Sequence, residues 1–325
     1  YYDGKTISNT FKVEAGGAYM KDESKVEMDG AYAALYGLYR ILSGNHKLAM
    51  IYGFSMPSCF PYEIARILET DPTFDRQINL LNPYTAGGLQ MNSYMKTYGV
   101  PEEDIAKVAV QNLKNSAKNP LALPESQKAD IKVQDILDSE ILSTPLRKLM
   151  YPMLCDGATA LILAPERQSL KITDKPVWIT GVGQCQETYY FGDRELSVSV
   201  SMEKAAEKAY RLAGINNPRK EIDVAEIFGH STCEEMILTE ASGLYEKGKS
   251  ASLINGSPII NPSGGAMSSF TPCACGLTRI VEAARQIRGE AEGHQVTNVK
   301  KAISTGQVGF CAQNNIIFVL EGGEN

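Results

Sequence analysis

From Gly30 onward, apolar residues recur along the chain at two spacings, and the alternation predicts its elements. In AYAALYGLYRIL, Ala31, Ala34, Leu35, Leu38, Ile41 and Leu42 fall on one helical face, with Tyr32, Tyr36 and Tyr39 as a stripe beside it. Ser43-Gly44-Asn45 reads as a turn, and Lys47 to Gly53 as a short buried strand. GGLQMNSYMKTYG is helical. Pro101-Glu102-Glu103-Asp104 opens a further helix with acids in its first turn, running through Ile105, Val108, Ala109 and Leu113 toward Asn119-Pro120. Residues 121–150 are polar and loop-rich around a helical piece at VQDILDS, and Leu161-Ile162-Leu163 and Val177 to Thr180 predict strands.

From Pro176 the order begins again. A strand leads to the helix MEKAAEKAYRLAG, then the strand Val224 to Phe228 and the helix CEEMILTEASGL. The small-residue loop NPSGGAMSSFTPCACG follows, then the helix LTRIVEAARQIRG and strands around Lys301 to Ile303 and Ile316 to Leu320. Strands alternating with helices predict a layered α/β protein. Two halves of similar order predict an internal duplication with its boundary near residue 170.

Composition narrows the class. The 325 residues are 43% hydrophobic and 22% charged, the balance of an ordinary globular protein, and a net charge of −6 argues against a nucleic-acid partner. Seven scattered cysteines, an odd number, are expected as reduced thiols in a cytoplasmic protein. The opening YYDGKTISNT lacks the basic and apolar regions of a signal peptide, and no apolar run reaches the ~18 residues of a membrane span. Cys273-Ala274-Cys275 has one intervening residue and no second pair or histidine to complete a zinc site, so no metal is expected. His46 and His294 are expected in surface turns. His230 stands beside a strand, where a packed role and an acid–base role are both open.

The run NPSGGAMSSFTPCACGLTRIVEAARQIRGEA is similar to the C-terminal signature of the thiolase superfamily, in which Asn-Pro-x-Gly-Gly precedes a Gly-His-Pro loop and a helix ending in Gln-Leu-Arg-Gly. Further landmarks follow in order: Leu35 to Gly53, Tyr98 to Pro120, Pro145-Leu146-Arg147, Asp156-Gly157-Ala158-Thr159-Ala160, and Ile222 to Glu226. The resemblance covers about residues 10–322. It implies a thiolase fold, two βαβαβαββ halves in five layers: residues 1–170, with an inserted loop domain at about 80–150, and residues 171–325. Members of the family carry another βα segment before the region where this sequence begins, so the N-terminal part of the first half is expected to be short here, either because the sequence is trimmed or because the subunit has lost that part.

The resemblance also says what chemistry to look for. A cysteine thiolate takes the acyl group from a coenzyme A thioester, assisted by a histidine and by backbone donors. Here the nucleophile's position falls on Glu27, or in a second alignment on Gly17, and the Gly-His-Pro histidine becomes Thr271. Thr cannot act as a base near neutral pH. Candidate substitutes are His230, displaced by two positions within its motif, and Cys273, Cys275 and Cys311. Asn261, Pro262, Gly264, Gly265 and Pro272 are expected to line the acyl pocket. The resemblance implies a thiolase-like subunit with a degenerate site and no covalently bound cofactor. It would pair with a homologous chain that carries Cys and His, and with a small zinc-ribbon/OB-fold protein, the complex acting on a coenzyme A thioester, as in two-component thiolases such as the one acting on 2-benzoylsuccinyl-CoA. The alternative is an atypical condensing enzyme using His230 or a relocated cysteine.

Overall fold

A computed structural model describes residues 16–323 except 69, 79, 254, 255, 257 and 258, and except the side chains of residues 63, 78, 252 and 253. The opening YYDGKTISNT and residues 11–15, which precede Gly17 of the second alignment, lie outside the described residues. The chain opens with α1 (Gly30–Leu42), β1 (Ala49–Ser55), α2 (Tyr62–Ile67) and α3 (Asp75–Ile78). A helical insertion follows: α4 (Pro83–Tyr98), α5 (Glu102–Ser116), α6 (Val133–Leu137), β2 (Ile141–Ser143) and β3 (Leu146–Arg147). Then come β4 (Gly157–Leu163), α7 (Glu166–Ile172), β5 (Val177–Gln186), α8 (Val200–Ala213), α9 (Pro218–Glu221), β6 (Val224–Glu226) and α10 (Thr232–Ala241). The end of the chain forms β7 (Ile259–Ile260), α11 (Gly265–Ser268), α12 (Cys275–Arg288), β8 (Lys301–Val308) and β9 (Asn314–Gly322).

The later elements build one sheet in the order β5-β9-β8-β6-β7, with β6 parallel to β7 and β8 and the other neighbours antiparallel. With its three main helices α8, α10 and α12, this half reads βαβαβαββ. Among the described residues the first half supplies the last three elements of the same unit, α1, β1 and β4, and β1 pairs with β4 antiparallel from Ala49↔Leu163 to Ser55↔Gly157. The helices α1 and α12 lie between the two sheets, and their apolar faces form one core with β1, β8 and β9 through Ala31, Leu35, Leu277, Ile280, Ile316 and Phe318. The amphipathic helix α8 covers the far side of the large sheet with Met202, Ala205, Ala206 and Ala209. Close packing there leaves no room at Gly183, where a Cβ would stand 2.0 Å from the Ala205 carbonyl oxygen.

Two expectations need correction. Residues 121–150 hold the expected helical piece, α6, but are less polar than expected: Ile131, Ile136, Leu146 and Met150 enter the core shared by α4, α5 and α10. His294 is not in a surface turn but is buried, its Nε2 2.9 Å from Glu282 Oε2, because the residues after α12 fold back over that helix. Along α1, Tyr32 is buried, but Tyr36, Tyr39 and Leu42 are exposed, so the buried stripe is narrower than the periodicity suggests.

Candidate active site

The strand β6 carries the chain to Phe228-Gly229-His230, where it leaves the sheet and turns into α10. Ser231 caps that helix by accepting from the Glu234 main-chain N–H at 3.1 Å. The His230 ring is fixed between two aromatic rings, 4.9 Å from Phe228 and 5.4 Å from Phe270, the latter edge-on at 88°. Gln307, one residue before the end of β8, reaches across from the neighbouring strand. Its Nε2 is 2.5 Å from His230 Nδ1 and 2.7 Å from Glu234 Oε1. The second Glu234 oxygen accepts the His230 main-chain N–H at 3.2 Å. His230 Nδ1 and Glu234 Oε1 are themselves 3.7 Å apart, so the amide mediates between imidazole and carboxylate.

Thr271 follows Phe270 in the loop where the family's histidine is expected. Main-chain bonds from Phe270 N–H to Met153 O and from Cys155 N–H to Phe270 O tie this loop to the segment leading into β4. They bring Cys155 Sγ to 3.2 Å from Thr271 Oγ1. The Cys155 thiol is raised from its ordinary value, chiefly by burial. Cys273 is half-buried, adopts the left-handed backbone conformation (φ 66°), and accepts the Gly30 N–H at 2.7 Å at the start of α1. Cys275 and Cys311 are both buried, and burial pushes their thiols well up. Such thiols hold their protons at neutral pH and are poor nucleophiles. The loop carrying Cys311 is pinned by two arginines: Arg66 donates to Gly309 O, and Arg194 to Phe310 O and Cys311 O.

Asn261 to Gly265 form a clamp that the fold encloses. The Asn261 side chain accepts from Ile227 N–H and donates to Ile227 O, closing the loop against the end of β6. Asn115 and Asn119 of the α5 region donate to the carbonyls of Asn261 and Ser263. Gly264, at φ 90°, sits so close to α5 that a Cβ would be 2.2 Å from Ser116 Oγ. Beneath it Arg279 and Glu226 form a buried ion pair at 2.7 Å, shared with Ser263 Oγ. Pro272 is buried, and Pro262 borders a cavity of about 300 Å3 between α5 and α10.

The two alignment positions for the nucleophile are on the outside. Glu27 is exposed just before α1, and Gly17 lies in an exposed turn. Gly17 lines one end of a groove of about 760 Å3 that follows α1 and β1 to Cys273. The fold places at this centre four residues outside the candidates singled out from the sequence. Asp29, the N-cap of α1, accepts from Ala31 N–H at 2.8 Å and from Gly276 N–H at 2.9 Å, so one buried carboxylate joins the N-termini of both central helices. Burial raises that carboxyl from its ordinary value. Gln307, Glu234 and Cys155 are the others. For Cys155 there was a signal, since it adjoins the Asp156-Gly157-Ala158 landmark; Gln307 and Glu234 belong to residue types that seldom mark a site.

With this geometry in place, the chain can be set beside known proteins. Residues 183–321 match the family described as thiolase C-terminal domain-like. An acetyl-CoA acetyltransferase of Methanothermobacter thermautotrophicus is 27% identical over 277 residues, 82% of this chain and 71% of that protein. The benzoylsuccinyl-CoA thiolase subunit BbsB of Thauera aromatica is 25% identical over 67% of this chain, which spans 57% of that subunit's length. The solved Ltp2-ChsH2(DUF35) aldolase superposes with a TM-score of 0.82, at 20% identity, over 98% of this chain and 85% of the solved one. Together with the βαβαβαββ half and the central helix pair, these matches show that the chain has the thiolase fold and that residues 183–321 form a thiolase C-terminal domain-like region.

Proposed function

We propose that this chain is a thiolase-like subunit of a heteromeric complex acting on coenzyme A thioesters, and that its own site forms no acyl-enzyme. One observation carries the reading. The helix start and the loop where the family keeps a thiol and an imidazole hold instead an exposed Glu27 and a buried Thr271. The thiols of Cys275 and Cys311 are protonated by burial. In support, one relative is named as a thiolase subunit, and the name of the solved neighbour joins two proteins, one marked DUF35. The proposed partners are a homologous chain carrying Cys and His and a small zinc-ribbon/OB-fold protein. The experiment is native mass spectrometry of the complex, followed by intact-mass analysis after exposure to acyl-CoA without an acceptor. The expected result is a heteromer in which this chain gains no acyl mass; a stable adduct on Cys155, Cys273, Cys275 or Cys311 overturns it.

A second reading keeps the site in this chain: carbon–carbon cleavage beside a thioester, of aldol type, using His230. The built arrangement of His230, Gln307 and Glu234 favours it, since a purely vestigial site has no need of a fully aligned imidazole. Turnover of the complex carrying His230→Ala separates the two. A loss of roughly 10²-fold or more with assembly intact assigns the chemistry to this chain, and retention within severalfold assigns it elsewhere.

A further inference from the structure

We propose that Gln307, itself held by Glu234, is a positioning residue that fixes His230 as the neutral Nε2–H tautomer, so that the site meets a carbonyl oxygen of its substrate with a hydrogen-bond donor rather than a base. The inference rests on the second reading above, in which His230 acts on substrate.

The argument is a count of hydrogens. The Gln307 amide nitrogen carries two, and the geometry uses both: one toward His230 Nδ1 at 2.5 Å and one toward Glu234 Oε1 at 2.7 Å. Reversing the amide would put its oxygen against a carboxylate oxygen at the same distance, an arrangement of two acceptors with no proton between them. The reversed form is therefore excluded by Glu234, and with Nε2 as donor, Nδ1 must accept. An imidazole that accepts at Nδ1 and is neutral carries its proton on Nε2.

Glu234 can impose this because it cannot move. Its N–H is bound by Ser231 Oγ, its second oxygen by the His230 main-chain N–H, and it stands in the first turn of α10, where the helix dipole favours negative charge. Gln307 is equally confined, being 2% exposed and close to the end of a strand paired on both sides. Its Oε1 is buried without a partner, an acceptor given up so that the nitrogen faces the two groups that need it. Phe228 and Phe270 hold the ring plane, so the choice of tautomer also fixes the direction of the donor. On the reading in which His230 acts on substrate, such a donor would receive the negative charge that grows on a thioester or ketone oxygen as the adjacent carbon–carbon bond breaks.

The test is long-range proton–nitrogen NMR of the full chain, in its complex, with nitrogen-15 in the imidazoles. There are three histidines, and His230→Asn identifies the signal by its loss. The wild-type signal should show the proton on Nε2. Gln307→Glu, which can accept but not donate, should move the proton to Nδ1 or protonate both nitrogens. Gln307→Met, close in shape but without hydrogen bonds, should leave a mixture of tautomers and lower kcat about tenfold or more while KM changes less than about threefold. A wild-type proton on Nδ1, a tautomer unmoved by either substitution, or full turnover in Gln307→Met would each overturn the inference. Turnover retained within severalfold in His230→Ala would instead refute the second reading, while the tautomer measurement on the wild type would still stand.

Discussion

The helix–strand–strand unit occurs twice in this molecule, as α1–β1–β4 and as α12–β8–β9, and the two copies live in different surroundings. In the second copy the strands lie inside a five-stranded sheet, and Ile303 and Ile317 are fully buried. In the first, among the described residues, the strands pair only with each other, leaving Met50 54% and Ile162 67% exposed. Similar apolar sequences therefore contribute differently to stability. A strand residue is stabilising in proportion to the apolar area that its neighbours cover, and of these four strands only β8 and β9 have neighbours on both sides. The candidate site follows the same division. Its polar parts, His230, Glu234 and Gln307, come from the embedded half, and the first half reaches the site loop through the Gly30 N–H and Asp29.

The comparison can be broken most decisively in the strands themselves. Ile317→Ala should cost about 2–5 kcal/mol, from lost burial plus a cavity, whereas Ile162→Ala should stay within about 0.5 kcal/mol. Chemical denaturation of the two variants side by side measures this, and equal losses would show the copies to be equivalent. A smaller effect is expected at the junction of the two copies. Asp29→Ala removes the α1 cap and strands the buried Gly276 N–H at the start of α12, and should cost about 2 kcal/mol, with Asp29→Asn losing less. If thermal unfolding of Asp29→Ala matches the parent, the first copy does not lean on the second through this carboxylate.

A third effect depends on pH and belongs to the embedded half. Burial pushes the Glu235 carboxyl up to about 8, so the folded chain holds a proton that the unfolded chain releases above its ordinary value of 4.5. Its contribution is complete at low pH and is lost as pH rises from 4.5 through about 8. Glu235→Gln keeps the neutral form at every pH, so it should gain on the parent by about 1 kcal/mol for each pH unit between pH 5 and 8. A constant difference across that window would place the proton elsewhere.

Much of the fold was legible because its helices are amphipathic. The apolar spacing of Ala31, Ala34 and Leu35 and of Leu277, Ile280 and Ala283 identifies the central pair, and all six residues are buried. The extent of burial in α10 was not legible, since Glu234, Glu235 and Glu240 suggest a wet face, yet each is buried against side-chain and main-chain partners supplied by distant segments. His294 misled for the same reason: Glu292 and Gly293 mark a turn, and nothing nearby announces the buried Glu282 carboxylate, 12 residues back in α12. At the site, His230 could be singled out from its motif, but its hydrogen-bond partner Gln307 lies 77 residues away, and only the parallel pairing of β6 with β8 brings them together.

The hydrogen bond from Gly276 to Asp29 spans 247 residues. On a ribosome, where synthesis runs from the N-terminus, Asp29 emerges long before the helix whose first turn it must meet. Until α12 arrives, α1 and β1 have neither their central companion nor the core residues Leu277 and Ile280 that cover them. The earlier region is thus completed only by the later one, and a nascent chain must keep Ile51 and its core neighbours from wrong partners until α12 is made.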